Sequence, residues 1–286
     1  MLKYIYFGTP ELSRDLLDNL IKIYSKPELI ITALDRPSGR GLKMKPCPVK
    51  EYTIENNIPY LEPDKLINIK EDLKSYNADI GILFAYGKII PQWLLEIFPN
   101  GIINVHPSLL PLYRGSSPLI GPILNEDTTT GITIMDMDSE LDHGDIYLQN
   151  KIEIKPDTNR NDLENYVINT APQMLKEVLE KIEEKNINKI SQDHNLATYT
   201  TKIKKSDGEI LNSDTDEIKY RKYKAYIGWP GIYYINPLPA SPLSGGGENH
   251  KIRIKITKAS FIDNKFIIEK IIPEGGKEKN YNKKLN

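Results

Sequence analysis

Short apolar runs alternate with amphipathic stretches through the first half of the chain. Lys3–Phe7 is an apolar run closed by the turn Gly8-Thr9-Pro10. Pro10 suits a first helical position, and Leu12, Leu16, Leu17, Leu20 and Ile21 follow at helical spacing. Leu29–Leu34 predicts a second buried strand. Residues 35–48, rich in Pro, Gly, Lys and Arg, predict a long loop, and helices are expected over Val49–Asn57 and Lys65–Tyr76. Asp79–Tyr86 is a continuous apolar strand closed by Gly87. After a short helix near Gln92–Ile97, Gly101–His106 predicts another strand. Strands apolar on both faces, with helices between them, predict a parallel α/β sheet. Such sheets bind ligands at the carboxyl ends of their strands, which is where Asn104 and His106 fall.

The pattern changes after residue 131. Gly131–Met137 and Ile146–Ile154 predict strands flanking a polar turn segment, Asp138–Asp145. Apolar positions 163, 167, 171, 175, 178 and 182 predict one helical face over Asn161–Lys185, with Pro172 expected to split it into two helices. Residues 186–206 are polar and irregular and read as a linker. Beyond it come a helix over Thr215–Tyr226, a strand over Gly231–Ile235, the alternating strand Ile252–Ile256 and more strand signal over Phe261–Ile272. Pro237–Asn249, with three prolines and three consecutive glycines, reads as a low-complexity insertion. Trp229, before Pro230, is expected to pack the second domain.

Length and composition narrow the class. At roughly 150 residues per domain, 286 residues suggest two domains or one large one. A hydrophobic share of 39% and a charged share of 27% exclude wholesale disorder. The single Cys47 excludes an internal disulfide. No apolar run approaches the roughly 18 residues of a membrane span, and the N-terminus lacks the pattern of a signal peptide. No membrane contact and a cytoplasmic, reducing context are therefore expected, and a monomer. A net charge of −1 argues against indiscriminate nucleic-acid binding. Residues 251–286, however, hold ten Lys/Arg against four Asp/Glu, so +6, which leaves −7 to the rest. A basic end on an acidic body permits local contact with a polyanion; on charge alone it reads equally as a solvated tail.

The densest cluster of chemistry is Asn104-Val105-His106-Pro107-Ser108-Leu109-Leu110-Pro111. Period 2 puts Asn104 and His106 on one side of a strand. A carboxamide donor beside an imidazole suits a developing oxyanion. In Leu141-Asp142-His143-Gly144-Asp145, Asp142 offers a carboxylate that could orient His106 or accept a proton, which spacing alone does not decide. Each residue alone also has a plain structural reading, His106 as a hydrogen-bonded strand end and Asp142 as a turn former.

Together, Asn104–Pro111, Tyr113-Arg114-Gly115 and Leu141–Asp145 resemble the folate-dependent formyltransferase family. The resemblance implies formyl transfer from 10-formyltetrahydrofolate to an amine, with Asn104, His106 and Asp142 as the catalytic set. It puts Ser108, Leu109, Leu110 and Pro111 on the segment lining the folate site, and Phe84, Tyr86 and Gly87 beside the pterin pocket. Asp35–Gly41 with Pro46–Lys50, and the opening Phe7–Glu11, resemble the branch of the family that acts on methionyl-initiator tRNA. There the loop meets the acceptor end, so Arg36, Arg40, Lys43 and Lys45 are expected to touch tRNA, with Arg40 foremost. Arginine pairs with phosphate or stacks on an unpaired base, and the glycines leave the loop free to order on RNA.

The resemblance runs from the N-terminus to about residue 210. It implies an α/β, Rossmann-like, mostly parallel sheet in residues 1–185, the linker 186–206, and a small β-rich, OB-like tRNA-binding domain over 207–286 carrying the 237–249 insertion. Thr198-Tyr199 and Trp229-Pro230 fit the later region loosely. The C-terminus departs from the family, being short after Ile272 and polar from Glu274 to Asn286. The nearest alternative is a sugar-nucleotide N-formyltransferase using the same donor, which needs no basic loop. Two further readings are a zinc site built from His106, Asp142, His143 and Asp145, and an RNA-binding adaptor with a degenerate catalytic domain. Neither accounts for the whole Asn/His/Asp set with its Leu-Leu-Pro segment, and no metal is expected.

Overall fold

Tyr4–Gly8 is buried at every position and forms β1, near the middle of a seven-stranded sheet. The structure, a computed structural model, describes residues 1–38, 41, 43–237 and 251–281. After β1 come α1 (Glu11–Ile23), β2 (Leu29–Ile31), β3 (Arg36–Ser38), β4 (Lys43–Lys45), α2 (Pro48–Glu55), β5 (Tyr60–Leu61), α3 (Lys70–Ser75), β6 (Ile80–Phe84), α4 (Gln92–Leu95) and β7 (Ile102–His106). Then follow β8 (Arg114–Gly115), α5 (Ile120–Leu124), β9 (Thr129–Asp136), β10 (Ile146–Glu153), α6 (Arg160–Glu183) and β11 (Tyr199–Thr200). One compact unit comprises residues 1–118, 129–153 and 164–200; a second comprises 119–128, 154–163 and the described residues from 201 onward.

The large sheet of the first unit has the order β10-β9-β7-β6-β1-β2-β5. Strands β7, β6, β1, β2 and β5 run parallel, and β9 runs antiparallel to both β7 and β10. This is the mostly parallel α/β sheet that the apolar runs predict. Its order reverses between β1 and β6, and sheets of this kind take ligands in the crevice beyond the carboxyl ends at such a reversal. The Thr9 hydroxyl donates to the Tyr86 carbonyl at 2.9 Å, joining the segments that leave β1 and β6. Beside β6 lies β7, so Asn104 and His106 end next to the reversal.

Four sequence expectations differ from what is observed. Residues 35–48 are not wholly loop: β3 and β4 form a hairpin pairing Arg36 with Lys45, Pro37 with Met44 and Ser38 with Lys43. Its strands carry no apolar alternation because Lys43–Lys45 are exposed, so periodicity has nothing to report. Pro172 does not split α6, which runs unbroken. A proline removes the donor that its i−4 carbonyl would receive. Here that carbonyl, of Ile168, accepts instead from Asn19 Nδ2 at 2.9 Å. Residues 186–200, read as linker, belong to the first unit: Ile190 bridges Ile146 and β11 pairs in parallel with β8. Trp229, expected to pack the second domain, leaves 53% of its surface exposed.

The second unit is built on an antiparallel sheet of β12 (Ile232–Pro237), β13 (Lys251–Ile262), β14 (Lys265–Pro273) and β15 (Lys279–Asn280), in that order. Asp263 and Asn264, both at positive φ, make the two-residue turn between β13 and β14. Helix α7 (Asp216–Ala225) starts at Thr215, whose hydroxyl accepts the Ile218 N–H. It packs on the sheet through Tyr220, stacked on Phe261 at 5.1 Å, and Tyr223 against Phe266. The polar C-terminal stretch thus contributes a strand, β15, paired to β14. From residue 238 on, the 237–249 insertion lies outside the described residues. No helix among the described residues is long and apolar enough to cross a membrane.

Candidate active site

Asn104 and His106 leave β7 on the same side, as period 2 requires, and both reach Asp142. Asn104 Nδ2 lies 3.5 Å from Asp142 Oδ1, and His106 Nδ1 lies 3.6 Å from the same oxygen. These separations are at or beyond the limit of a hydrogen bond. The three polar groups face one point without saturating each other, as catalytic groups often do before substrate binds.

Each group is fixed from behind. Nε2 of His106 lies 3.0 Å from the Tyr113 carbonyl, which only accepts, so Nε2 carries a proton and Nδ1 faces Asp142. Asp142 Oδ2 accepts the Gly115 N–H at 2.7 Å, leaving Oδ1 for Asn104 and His106. Asp142 sits at φ +48°, in the left-handed region that costs a non-glycine residue roughly 1–2 kcal/mol. Gly115 sits at φ +106°, where a Cβ would overlap the Thr200 carbonyl oxygen, so both its conformation and its β11 neighbour demand glycine.

The other expected residues divide. Ser108 is buried and its hydroxyl donates to the Leu112 carbonyl at 2.6 Å. Leu110 is buried with Met135 and Ile146. Thr133 ties this segment to β9: its hydroxyl donates to the Ser108 carbonyl at 2.7 Å and accepts the Leu110 N–H. Leu109 and Pro111 stay partly exposed. Phe84 and Tyr86 are buried, while Gly87, at φ +81°, is exposed. The Tyr86 hydroxyl is buried with no hydrogen-bond partner among the described residues, and burial pushes it up to about 12, so it stays a protonated donor.

Arg36, Lys43 and Lys45 are exposed on the β3–β4 hairpin, whereas Arg40 lies outside the described residues. Lys50, a fifth basic residue of this stretch, is instead buried between Asp35 (2.6 Å) and Glu62 (2.7 Å), whose hydrogen bonds raise its affinity for the proton. Of the four residues of the zinc reading, His143 turns to Asp138 (Nδ1–Oδ2 2.6 Å) and Asp145 to Ser191. Among the described residues no group of three or more His, Cys, Asp or Glu is placed to hold a metal.

Sequence reasoning missed the supports. Tyr113 and Gly115 act through backbone atoms, and their only signal was membership of the Tyr113-Arg114-Gly115 motif. Gln192 and His194 lie in the supposed linker, yet both bond the buried Arg114.

Comparison with known proteins gives the family. Residues 2–179 match the formyl transferase family model. A methionyl-tRNA formyltransferase of Dictyoglomus turgidum is 37% identical over 100% of this chain and 88% of its own. One from Sulfurihydrogenibium sp. is 38% identical over 81% of this chain and 76% of its own. In fold, the chain is similar to an N-formyltransferase from Helicobacter canadensis in complex with folinic acid and dTDP-3-aminofucose. That match has a TM-score of 0.66 at 20% identity and covers 92% of this chain and 89% of the other. The family match spans more than half of the sequence and includes Asn104, His106 and Asp142, so this chain belongs to the formyl transferase family.

Proposed function

We propose that the protein transfers the formyl group of 10-formyltetrahydrofolate to the α-amine of methionine on initiator tRNA. The carrying observation is the convergence of Asn104 and His106 on Asp142 Oδ1 in a chain 37% identical, along its whole length, to a methionyl-tRNA formyltransferase.

An α-amine titrates near pH ~8, so a useful fraction is neutral at pH 7. As it attacks the formyl carbon, negative charge grows on the formyl oxygen. Asn104 Nδ2 donates to that oxygen. His106 joins it through Nδ1 when that nitrogen also carries a proton, because Nε2 is already committed to Tyr113. Each such donor contributes roughly 3 kcal/mol. The amine gains a bond to carbon and becomes acidic; Asp142 Oδ1 takes its proton, directly or through water. The carbon–N10 bond then breaks, and the proton returns to the leaving nitrogen. Acid–base help of this kind contributes ~10²–10⁴ in rate.

Ser108, Leu109, Leu110 and Pro111 form the folate-side wall, with Leu109 and Pro111 in contact and the buried Ser108 and Leu110 holding their backbone. Phe84, Tyr86 and Gly87 border the pterin, and the unpartnered Tyr86 hydroxyl suits a ring rich in acceptors. Arg36, Lys43 and Lys45 face tRNA together with Arg40. The register sets Arg36 opposite Lys45, and like charges directly opposite repel until an anion lies across them.

The test offers purified protein and 10-formyltetrahydrofolate two acceptors, methionyl-initiator tRNA and an aminated sugar nucleotide. Enzyme-dependent formyl-methionyl-tRNA is the expected product. Transfer to the sugar alone would replace this reading with the sugar-nucleotide one.

A further inference from the structure

Arg114 is 2% exposed, and its hydrogen-bond partners among the described residues include no carboxylate. A buried guanidinium is tolerated only when its donors are satisfied. Here Gln192 Oε1 accepts from Nε at 3.2 Å and from a terminal nitrogen at 2.7 Å, His194 Nδ1 accepts at 2.8 Å, and the Tyr199 hydroxyl lies at 3.4 Å.

Arginine only donates, so the Gln192 oxygen must face it and the amide nitrogen must point away. That nitrogen meets two carbonyls, of Asp142 at 3.0 Å and of Gly144 at 2.7 Å. Both acceptor sites and both donors of one carboxamide, 5% exposed, are thereby engaged. Asp142 is held on its other side by Gly115, the residue after Arg114. The turn itself has no slack: a Cβ at Gly144 would overlap the Asp136 carbonyl. A left-handed non-glycine residue such as Asp142 persists where its surroundings over-determine it, and Gln192 supplies two of those determinants.

We propose that Gln192 is a positioning residue for the transfer, joining the buried Arg114 to the backbone of the Asp142–Gly144 turn and so aiming Asp142 Oδ1 at Asn104 and His106. This rests on the reading of Asp142 as the acting carboxylate. Gln192 touches neither substrate; it works through Asp142.

The isosteric Gln192→Glu separates the role from simple stability. A glutamate keeps an oxygen for Arg114 but turns another oxygen against the two carbonyls. The measurement compares kcat and KM for methionyl-tRNA and 10-formyltetrahydrofolate, thermal midpoints and 5-formyltetrahydrofolate binding for the parent, Gln192→Glu, Asp142→Asn and the double variant. The expectation is a kcat loss on the order of 10–10²-fold, as for an ångström-scale misplacement. Both KM values and 5-formyltetrahydrofolate affinity stay near the parent's, and the variant stays folded at the assay temperature with a thermal midpoint lowered by the two lost buried hydrogen bonds. The double variant is no slower than Asp142→Asn, because residues acting as one unit are not additive. Parent-like kcat in Gln192→Glu, or losses that multiply in the double variant, would overturn the proposal. Parent-like kcat in Asp142→Asn would instead overturn the reading of Asp142 itself.

Discussion

Oδ2 of Asp142 accepts the Gly115 N–H at 2.7 Å, and this backbone contact leaves Oδ1 as the oxygen facing Asn104 and His106. The amide can serve only because Gly115 holds φ +106° against the Thr200 carbonyl.

Gly115→Ala therefore strains the chain and displaces the amide together. Backbone strain of this kind costs on the order of 1–3 kcal/mol. Thermal unfolding should show that loss, and kcat should fall at least tenfold in the fraction that remains folded. A folded variant with parental kcat would contradict the role given to this contact.

Asn104→Ala removes one donor while leaving the His106–Tyr113 bond intact. Loss of a single oxyanion donor typically costs ~10²–10³ in kcat. Steady-state kinetics should show that fall with KM for the folate donor changed little. A rise in KM at constant kcat would assign Asn104 to ground-state binding instead.

The hairpin cations predict a salt signature. Removing Arg36 or Lys45 should raise KM for tRNA and lower the slope of log affinity against log salt by about 0.7–0.9 per lost phosphate contact. Thermal stability should hold or rise slightly, because the two charges face each other. Unchanged salt dependence in both variants would remove the hairpin from the RNA interface.

The second unit predicts an acid-sensitive contact. Burial alone would raise the carboxyl of Asp214, but the Lys222 ammonium at 2.7 Å and the Leu211 N–H outweigh it and hold it below the ordinary aspartate range. A folded value below the unfolded ~3.9 means the contact stabilises folding above about pH 4 and is lost as pH falls through the folded value. Asp214→Asn should lower stability at pH 7 and flatten its fall in acid, as read by urea unfolding across pH. An acid limb identical to the parent's would contradict this.

The parallel sheet was legible because strands buried on both faces are continuous apolar runs, as in Tyr4–Gly8 and Ile80–Phe84. Asn104 and His106 were legible because polar residues are conspicuous at the end of such a run. Gln192 was not. Its partner Arg114 lies 78 positions away, and a polar residue bonded to a buried polar partner has the same sequence appearance as one bonded to water. Pro172 misled for a related reason, since the carbonyl it orphans is satisfied by Asn19 from another helix. The β3–β4 hairpin escaped because its described strand residues are not buried in alternation.

The central claim is that Asp142 Oδ1, with Asn104 and His106, carries formyl transfer to an aminoacyl-tRNA. The most direct measurement is single-turnover formylation of methionyl-initiator tRNA by the parent and by Asp142→Asn at saturating 10-formyltetrahydrofolate. The account predicts a loss of at least ~10²-fold in the chemical rate, with 5-formyltetrahydrofolate still bound and the fold intact. A parental rate in that variant would contradict it.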